Sequence, residues 1–147
     1  MGSGALIMRE GKALLVEPTY KAGFEIPGGI VENEESPRQA LKREIEEELG
    51  IKGEPGRLLV IEYQSGNDSK TESLMFIFEF RLSDDEERKI SLCLDELRSW
   101  HYADAATWEE KLGVPLARRL KLAARALASG SMQYVEDGNI MCGLPLK

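Results

Sequence analysis

One histidine, His101, and two cysteines, Cys93 and Cys142, are the only imidazole and thiol side chains in the 147 residues. The cysteines lie far apart and form no C-x-x-C pair, so neither a zinc knuckle nor a structural disulfide is expected, and both read as ordinary thiols. No apolar run approaches the ~20 residues of a membrane-spanning helix, which argues against a membrane role. The N-terminus, Met1 to Glu10, lacks the basic start and long apolar stretch of a signal peptide, so a cytoplasmic protein is expected. Gly2-Ser3-Gly4 has the composition of a cloning scar, and Leu6 stands where a myristoylation signal wants Ser or Thr; no function is read from that segment. Basic residues are in deficit too. With 19 Lys and Arg against 26 Asp and Glu the net charge is -7, which opposes non-specific binding to nucleic acid. An anionic ligand would need a cation to mediate.

What remains is the composition of a globular protein, 42% hydrophobic and 31% charged, of a length that suits one domain over residues 1–147 with one core. Residues 5–9 and 12–17 read as two short strands hinged at Glu10-Gly11, followed by a loop at 17–23. Phe24-Glu25-Ile26 alternates as a brief strand and stops at Pro27-Gly28-Gly29; Ile30-Val31-Glu32 resumes an extended path toward a turn at 33–35. Ser36 followed by Pro37 predicts a helix that ends at Gly50. Arg57–Gln64 and Thr71–Leu82 form a long hairpin, Asp84–Glu87 a solvated acidic loop, and Leu97–Tyr102 a further strand. Asp104 caps a short helix to Leu112, and Pro115–Ala128 forms another with Leu116, Leu120 and Ala123 or Ala124 on one face; the tail from 131 to 147 has no clear assignment. This order predicts an α/β fold with a mixed sheet between helices.

The helix over 36–49 carries an anomaly. Glu44, Glu46, Glu47 and Glu48 crowd its last turns, where the helix dipole favours cations. At about 100° per residue, Glu44, Glu47 and Glu48 share one sector beside the apolar edge of Leu41, Ile45 and Leu49, while Glu46 points elsewhere. Like charges at these spacings cost roughly 0.2–0.5 kcal/mol each, and only Arg43 offers an i,i+4 partner. A hard divalent cation would neutralise the cluster, and the backbone freedom of Gly28-Gly29 lets a carbonyl approach it. Alone, a Glu-rich helix is ordinarily a solvated face.

The whole segment from Gly29 to Ile51, however, resembles the Nudix box, G-x5-E-x7-R-E-U-x-E-E-x-G-U with U aliphatic, and matches it at every fixed position. The resemblance implies a Nudix-type α/β/α sandwich. It further implies metal-binding carboxylates at Glu44, Glu47 and Glu48, a carbonyl ligand at Gly29, and orienting roles for Arg43 and Glu35. The cofactor would be Mg²⁺ or Mn²⁺. The reaction would be attack of water on phosphorus, cutting a phosphoanhydride bond in a nucleoside diphosphate or triphosphate derivative; the alternative is a nucleotide sensor without turnover. Glu44, Asp95 and Glu96 are candidates for the proton acceptor, with Glu96 favoured as an extra ligand or base.

Lys21, Phe24 and Gly28 are candidates for holding the substrate, and His101 reads as a packing or surface residue. Tyr63 and Phe76 could stack on a base but read more simply as core or sheet-face residues. The place after the box where relatives specialised for ADP-ribose or dinucleoside polyphosphates carry a proline or a tyrosine holds Gly66-Asn67-Asp68, so the substrate stays open. The expected partner is a small-molecule nucleotide, with a homodimer left open.

Overall fold

The apolar runs of this chain are buried on both sides because successive strand residues face different layers. In the computed structural model, which describes residues 1–143, the strand β1 (Gly2–Leu6) leads through Ile7 into β2 (Met8–Arg9) and β3 (Lys12–Pro18). After β4 (Gly28–Ile30) come α1 (Pro37–Leu49), β5 (Leu58–Gln64), β6 (Ser73–Glu79) and α2 (Asp84–Arg88). Then follow β7 (Leu97–Asp104), α3 (Ala105–Leu112), α4 (Val114–Ser129), β8 (Gln133–Glu136) and β9 (Asn139–Gly143).

Ala5, Ile7, Leu14, Val16 and Phe78 pack with Leu41, Ile45 and Leu49 of α1. Their strand neighbours Leu6, Ala13, Leu15 and Ile77 pack with Ala117, Leu120 and Ala123 of α4. Helices therefore cover opposite faces, giving the expected α/β/α sandwich. The larger sheet has the order β4-β1-β6-β5-β8-β9 and is mixed: β1 with β6 and β5 with β8 are parallel, the other pairs antiparallel. The smaller sheet is β2-β3-β7. No helix among the described residues is long and apolar enough to cross a membrane.

The hinge at Glu10-Gly11 is a hairpin turn with both residues at positive φ, 51° and 78°, as a two-residue connection matching strand twist requires. The β5–β6 hairpin forms as expected, with Gln64 opposite Ser73. The brief strand at 24–26 reduces to a single bridge between Glu25 and Val16. Asp84–Glu87 is not a loop. Ser83 accepts from the Glu86 N–H while the Glu86 carboxylate accepts from the Ser83 N–H, a capping box that starts α2, although the segment stays at the surface as its charge demands. The unassigned tail forms β8 and β9 as far as residue 143, and residues 144–147 lie outside the described residues.

Gly2-Ser3-Gly4, from which no function is read in the sequence, is part of an inner strand paired to β4 on one side and β6 on the other. Its glycines leave room for neighbouring side-chain ends: a Cβ at Gly4 would fall 2.6 Å from Ile26 Cδ1, and one at Gly2 2.7 Å from Met75 Cε, so those ends would have to shift. Ser3 is buried and its hydroxyl donates to the Pro37 carbonyl at 2.8 Å, tying β1 to the first turn of α1. Opposite Gly4 stands Gly28, with φ of 144°, where a Cβ would collide with the Ser3 carbonyl oxygen and lie 2.7 Å from Gly4 Cα. Gly28→Ala is expected to lower the melting temperature by about 6 °C or more, because backbone must separate; Gly11→Ala, also at positive φ but with nothing within 4 Å, should cost only about 2–4 °C. Thermal melts of the two variants check this, and equal losses would contradict the close β1–β4 contact.

Candidate functional site

Helix α1 starts where Ser36 and Gln39 form a capping box: the Gln39 N–H donates to Ser36 Oγ at 3.1 Å and the Ser36 N–H to Gln39 Oε1 at 2.8 Å. Pro37 occupies the first turn, where its missing N–H costs nothing. Gly50 ends the helix with φ of 69°. The last carbonyls find partners in the segment that follows α2, the Ser91 N–H donating to Leu49 O at 2.9 Å and the Cys93 N–H to Glu48 O at 3.2 Å. That anchoring brings the turn at 94–96 to the carboxylate end of the helix.

The acidic sector faces β4. Glu48 is only 8% exposed and its Oε1 accepts from the Gly28 N–H at 2.8 Å. Burial pushes its carboxyl up to about 8; the Gly28 N–H opposes this, while the charges of Glu44, Glu96 and Glu25 add to it. Glu44 lies against the Gly29 backbone, where a Cβ would fall 2.5 Å from the carboxylate carbon. Glycine at 29 is thus the condition for carboxylate and backbone to meet. Burial also raises the Glu44 carboxyl, with Arg43 acting against the rise and Glu47 and Glu96 reinforcing it.

Arg43 is the cation of this cluster. Its Nε and Nη2 grip Glu35 at 2.8 and 2.9 Å, its Nη1 reaches Glu44 at 2.9 Å and Glu47 at 3.3 Å, and Nη2 also donates to Ile30 O at 3.1 Å. The guanidinium holds the Glu35 carboxyl down at about 2. A planar fork fixes several oxygens at once, so the guanidinium holds the Glu35, Glu44 and Glu47 carboxylates relative to one another. Glu46 points away, 3.9 Å from Lys52.

Among the described residues, no three His, Cys, Asp or Glu side chains stand close enough to form a ready metal cage. The backbone places Glu44, Glu47 and Glu48 on one sector, but Arg43 draws Glu44 and Glu47 together while Gly28 engages Glu48. The donor set nevertheless suits Mg²⁺ or Mn²⁺. It offers hard carboxylate oxygens, two of them on groups whose charge is disfavoured by burial, beside a glycine backbone that leaves room for nothing larger.

A cavity of about 570 Å³ opens beside the same glycines, lined by Gly28 and Gly29, by Tyr20 and Glu25, and by Leu116 and Arg119. Lys21 stands next to it, paired with the lining residue Glu25. Phe24 is outside the lining, its ring edge-on to His101 at 4.8 Å and beneath Lys111, so His101 serves packing there. Tyr63 donates to Glu72 at 2.7 Å and Phe76 packs on the α1 side of the core. Glu96 is exposed, yet close enough for its charge to raise both Glu44 and Glu48.

Sequence reasoning missed Ser3, Glu62 and Arg119. The signal for the last two was a charge on each apolar stripe: Arg119 shares a helix face with Leu116, Leu120 and Ala123, and Glu62 shares a strand face with Val60.

Glu48→Gln is expected to stabilise the metal-free protein. A carboxyl whose folded value is raised from 4.5 to about 8 binds more protons when folded, so its cost is absent below about pH 4.5, grows as pH rises to about 8 and then levels off. In EDTA the wild type should therefore melt progressively lower between those limits, the variant's curve should be flatter, and at pH 8 the variant should melt about 3 °C or more above wild type. A variant melting lower in EDTA would mean that Glu48 serves a structural contact.

The geometry agrees with the comparisons. The NUDIX domain matches residues 1–122. Diphosphoinositol polyphosphate phosphohydrolase 3-alpha of Mus musculus is 37% identical over 86 residues, 57% of this chain and 52% of its own length, so the chain spans about half the length of such relatives. CTP pyrophosphohydrolase of Escherichia coli strain K12 is 34% identical over 131 residues, covering 77% of this chain and 79% of the relative. The crystal structure of a UDP-X diphosphatase superposes with a TM-score of 0.73 at 22% identity, covering 92% of this chain and 66% of that one. With the domain match extending over most of its length, the chain belongs to the Nudix family.

Proposed function

We propose that this protein is a single-domain, divalent-metal-dependent pyrophosphohydrolase that cuts a phosphoanhydride bond in a nucleoside diphosphate or triphosphate derivative. The observation that carries the reading is the shared wall: Gly28 and Gly29 line the cavity on one side and touch Glu48 and Glu44 on the other. A substrate seated in the cavity thus has its phosphates at the carboxylates.

Relatives are named for diphosphoinositol polyphosphates and for CTP. Apart from its glycines and a few polar groups the cavity is walled by Met1, Ile26, Ile30, Met75, Ile77 and Leu116, and the one basic side chain in its lining among the described residues, Arg119, is already paired with Glu62. Such walls suit a flat heteroaromatic ring and offer little to a polyol ringed with phosphates.

Mg²⁺ or Mn²⁺, held by Glu44, Glu47, Glu48 and the Gly29 carbonyl, would supply positive charge against the phosphate oxygens. Arg43, held by Glu35, keeps the Glu44 and Glu47 carboxylates in place. Glu96, on the turn tied to the end of α1 and to Thr19, would accept the proton of the attacking water, with Glu44 and Asp95 the other candidates.

A panel of nucleoside triphosphates, ADP-ribose, nucleotide sugars, dinucleoside polyphosphates, capped RNA and a diphosphoinositol polyphosphate, assayed for phosphate release with Mg²⁺ or Mn²⁺, tests the reading. Turnover of a nucleotide that disappears in excess EDTA is expected; binding without turnover would make the protein a sensor. Glu47→Gln should lower kcat by about 100-fold or more at saturating metal, whereas Glu46→Gln, off the sector, should stay within a few-fold of wild type.

A further inference from the structure

Glu62 and Arg119, 1% and 5% exposed, form an ion pair inside the domain, Arg119 Nε donating to Glu62 Oε1 at 2.5 Å. The Gly138 N–H donates to Glu62 Oε2 at 2.8 Å, so both carboxylate oxygens are engaged and the guanidinium is gripped by one edge. Among the described residues its terminal nitrogens, Nη1 and Nη2, meet no acceptor, and Arg119 lines the cavity beside Leu116, Ile77 and Met75. Stability does not account for such a pair, since apolar replacements of buried ion pairs are often neutral or stabilising. A forked double donor, fixed from behind and set among apolar walls, is a reader of paired acceptors.

We propose that Arg119 is the specificity-determining residue of the cavity and selects nucleobases that present two acceptors side by side, O6 and N7 of guanine or O2 and N3 of cytosine. Two parallel N–H bonds from one guanidinium satisfy either edge. Adenine sets an amino donor beside the acceptor on its corresponding edges, and uracil alternates acceptor with donor, so each leaves one arm of the fork facing a hydrogen. Glu62 acts through Arg119 as a positioning residue. The inference rests on the nucleotide reading above.

Two measurements on the full chain test it separately from turnover. GMP, CMP, AMP and UMP are titrated in EDTA, since none has an anhydride to cut, and the four triphosphates are then assayed with Mg²⁺. GMP and CMP should bind at least about tenfold more tightly than AMP and UMP, with the same order in kcat/KM. Arg119→Lys keeps the charge beside Glu62 but removes the fork, and should erase the preference through KM with kcat within a few-fold. Should that variant not fold, Arg119→Met combined with Glu62→Met removes both charges together and should show the same loss. Equal binding of the four monophosphates by wild type, or a preference that survives loss of the fork, would overturn the proposal. A monophosphate preference without hydrolysis of any nucleotide in the panel above would support Arg119 as the reader and refute the catalytic reading instead.

Discussion

The contact of the Gly28-Gly29 strand with helix α1 is the constraint on which the rest of the site depends. Two carboxylates of the helix lie on that backbone, Glu48 through the Gly28 N–H and Glu44 against the space where Gly29 lacks a side chain. The strand in turn lies on β1, whose own glycines let the layers approach. Ser3 completes the arrangement by bonding to the first turn of the helix at Pro37. Strand, helix and cavity wall are therefore fixed by one set of close approaches that no Cβ at 28 or 29 would allow.

The same contact explains a tension in the electrostatics. Glu44, Glu47 and Glu48 lie at the negative end of a helix with no basic residue in its last turn. Burial makes ionisation of Glu44 and Glu48 unfavourable, and Arg43 serves only Glu44 and Glu47. A fold that gathers charge in this way gives up stability of its own, which is the expected cost of holding a cationic ligand. Arg43 is itself held by Glu35, so the cluster is ordered even where its charge is not balanced.

Much of this was legible in the sequence because its signals are local. Ser36-Pro37 and Gly50 bound α1, and the spacing of Glu44, Glu47 and Glu48 sets them on one face whatever the tertiary structure does. Glu10-Gly11 marked a hairpin for the same reason. Gly2-Ser3-Gly4 was illegible because its meaning is non-local: the side-chain ends its glycines leave room for, Met75 and Ile26, come from other parts of the chain. Arg119 and Glu62 lie 57 residues apart, so each alone reads as an exception to an apolar stripe, and only the packing of α4 on β5 shows that they answer one another. The charge of the acidic stretch at 84–87 points to a loop, but the capping box from Ser83 to Glu86 outweighs it and makes a helix.

In the proposed function the acidic face of α1 and the Gly29 backbone form one cation site. Anomalous diffraction from crystals of the protein grown with Mn²⁺ tests this. The expected result is a peak bounded by the carboxylates of Glu44 and Glu48 and the carbonyl oxygen of Gly29, with Glu47 drawn toward it. A well-occupied Mn²⁺ found elsewhere, or none, with Glu48 still bonded to the Gly28 N–H and Glu44 still paired with Arg43, would contradict it.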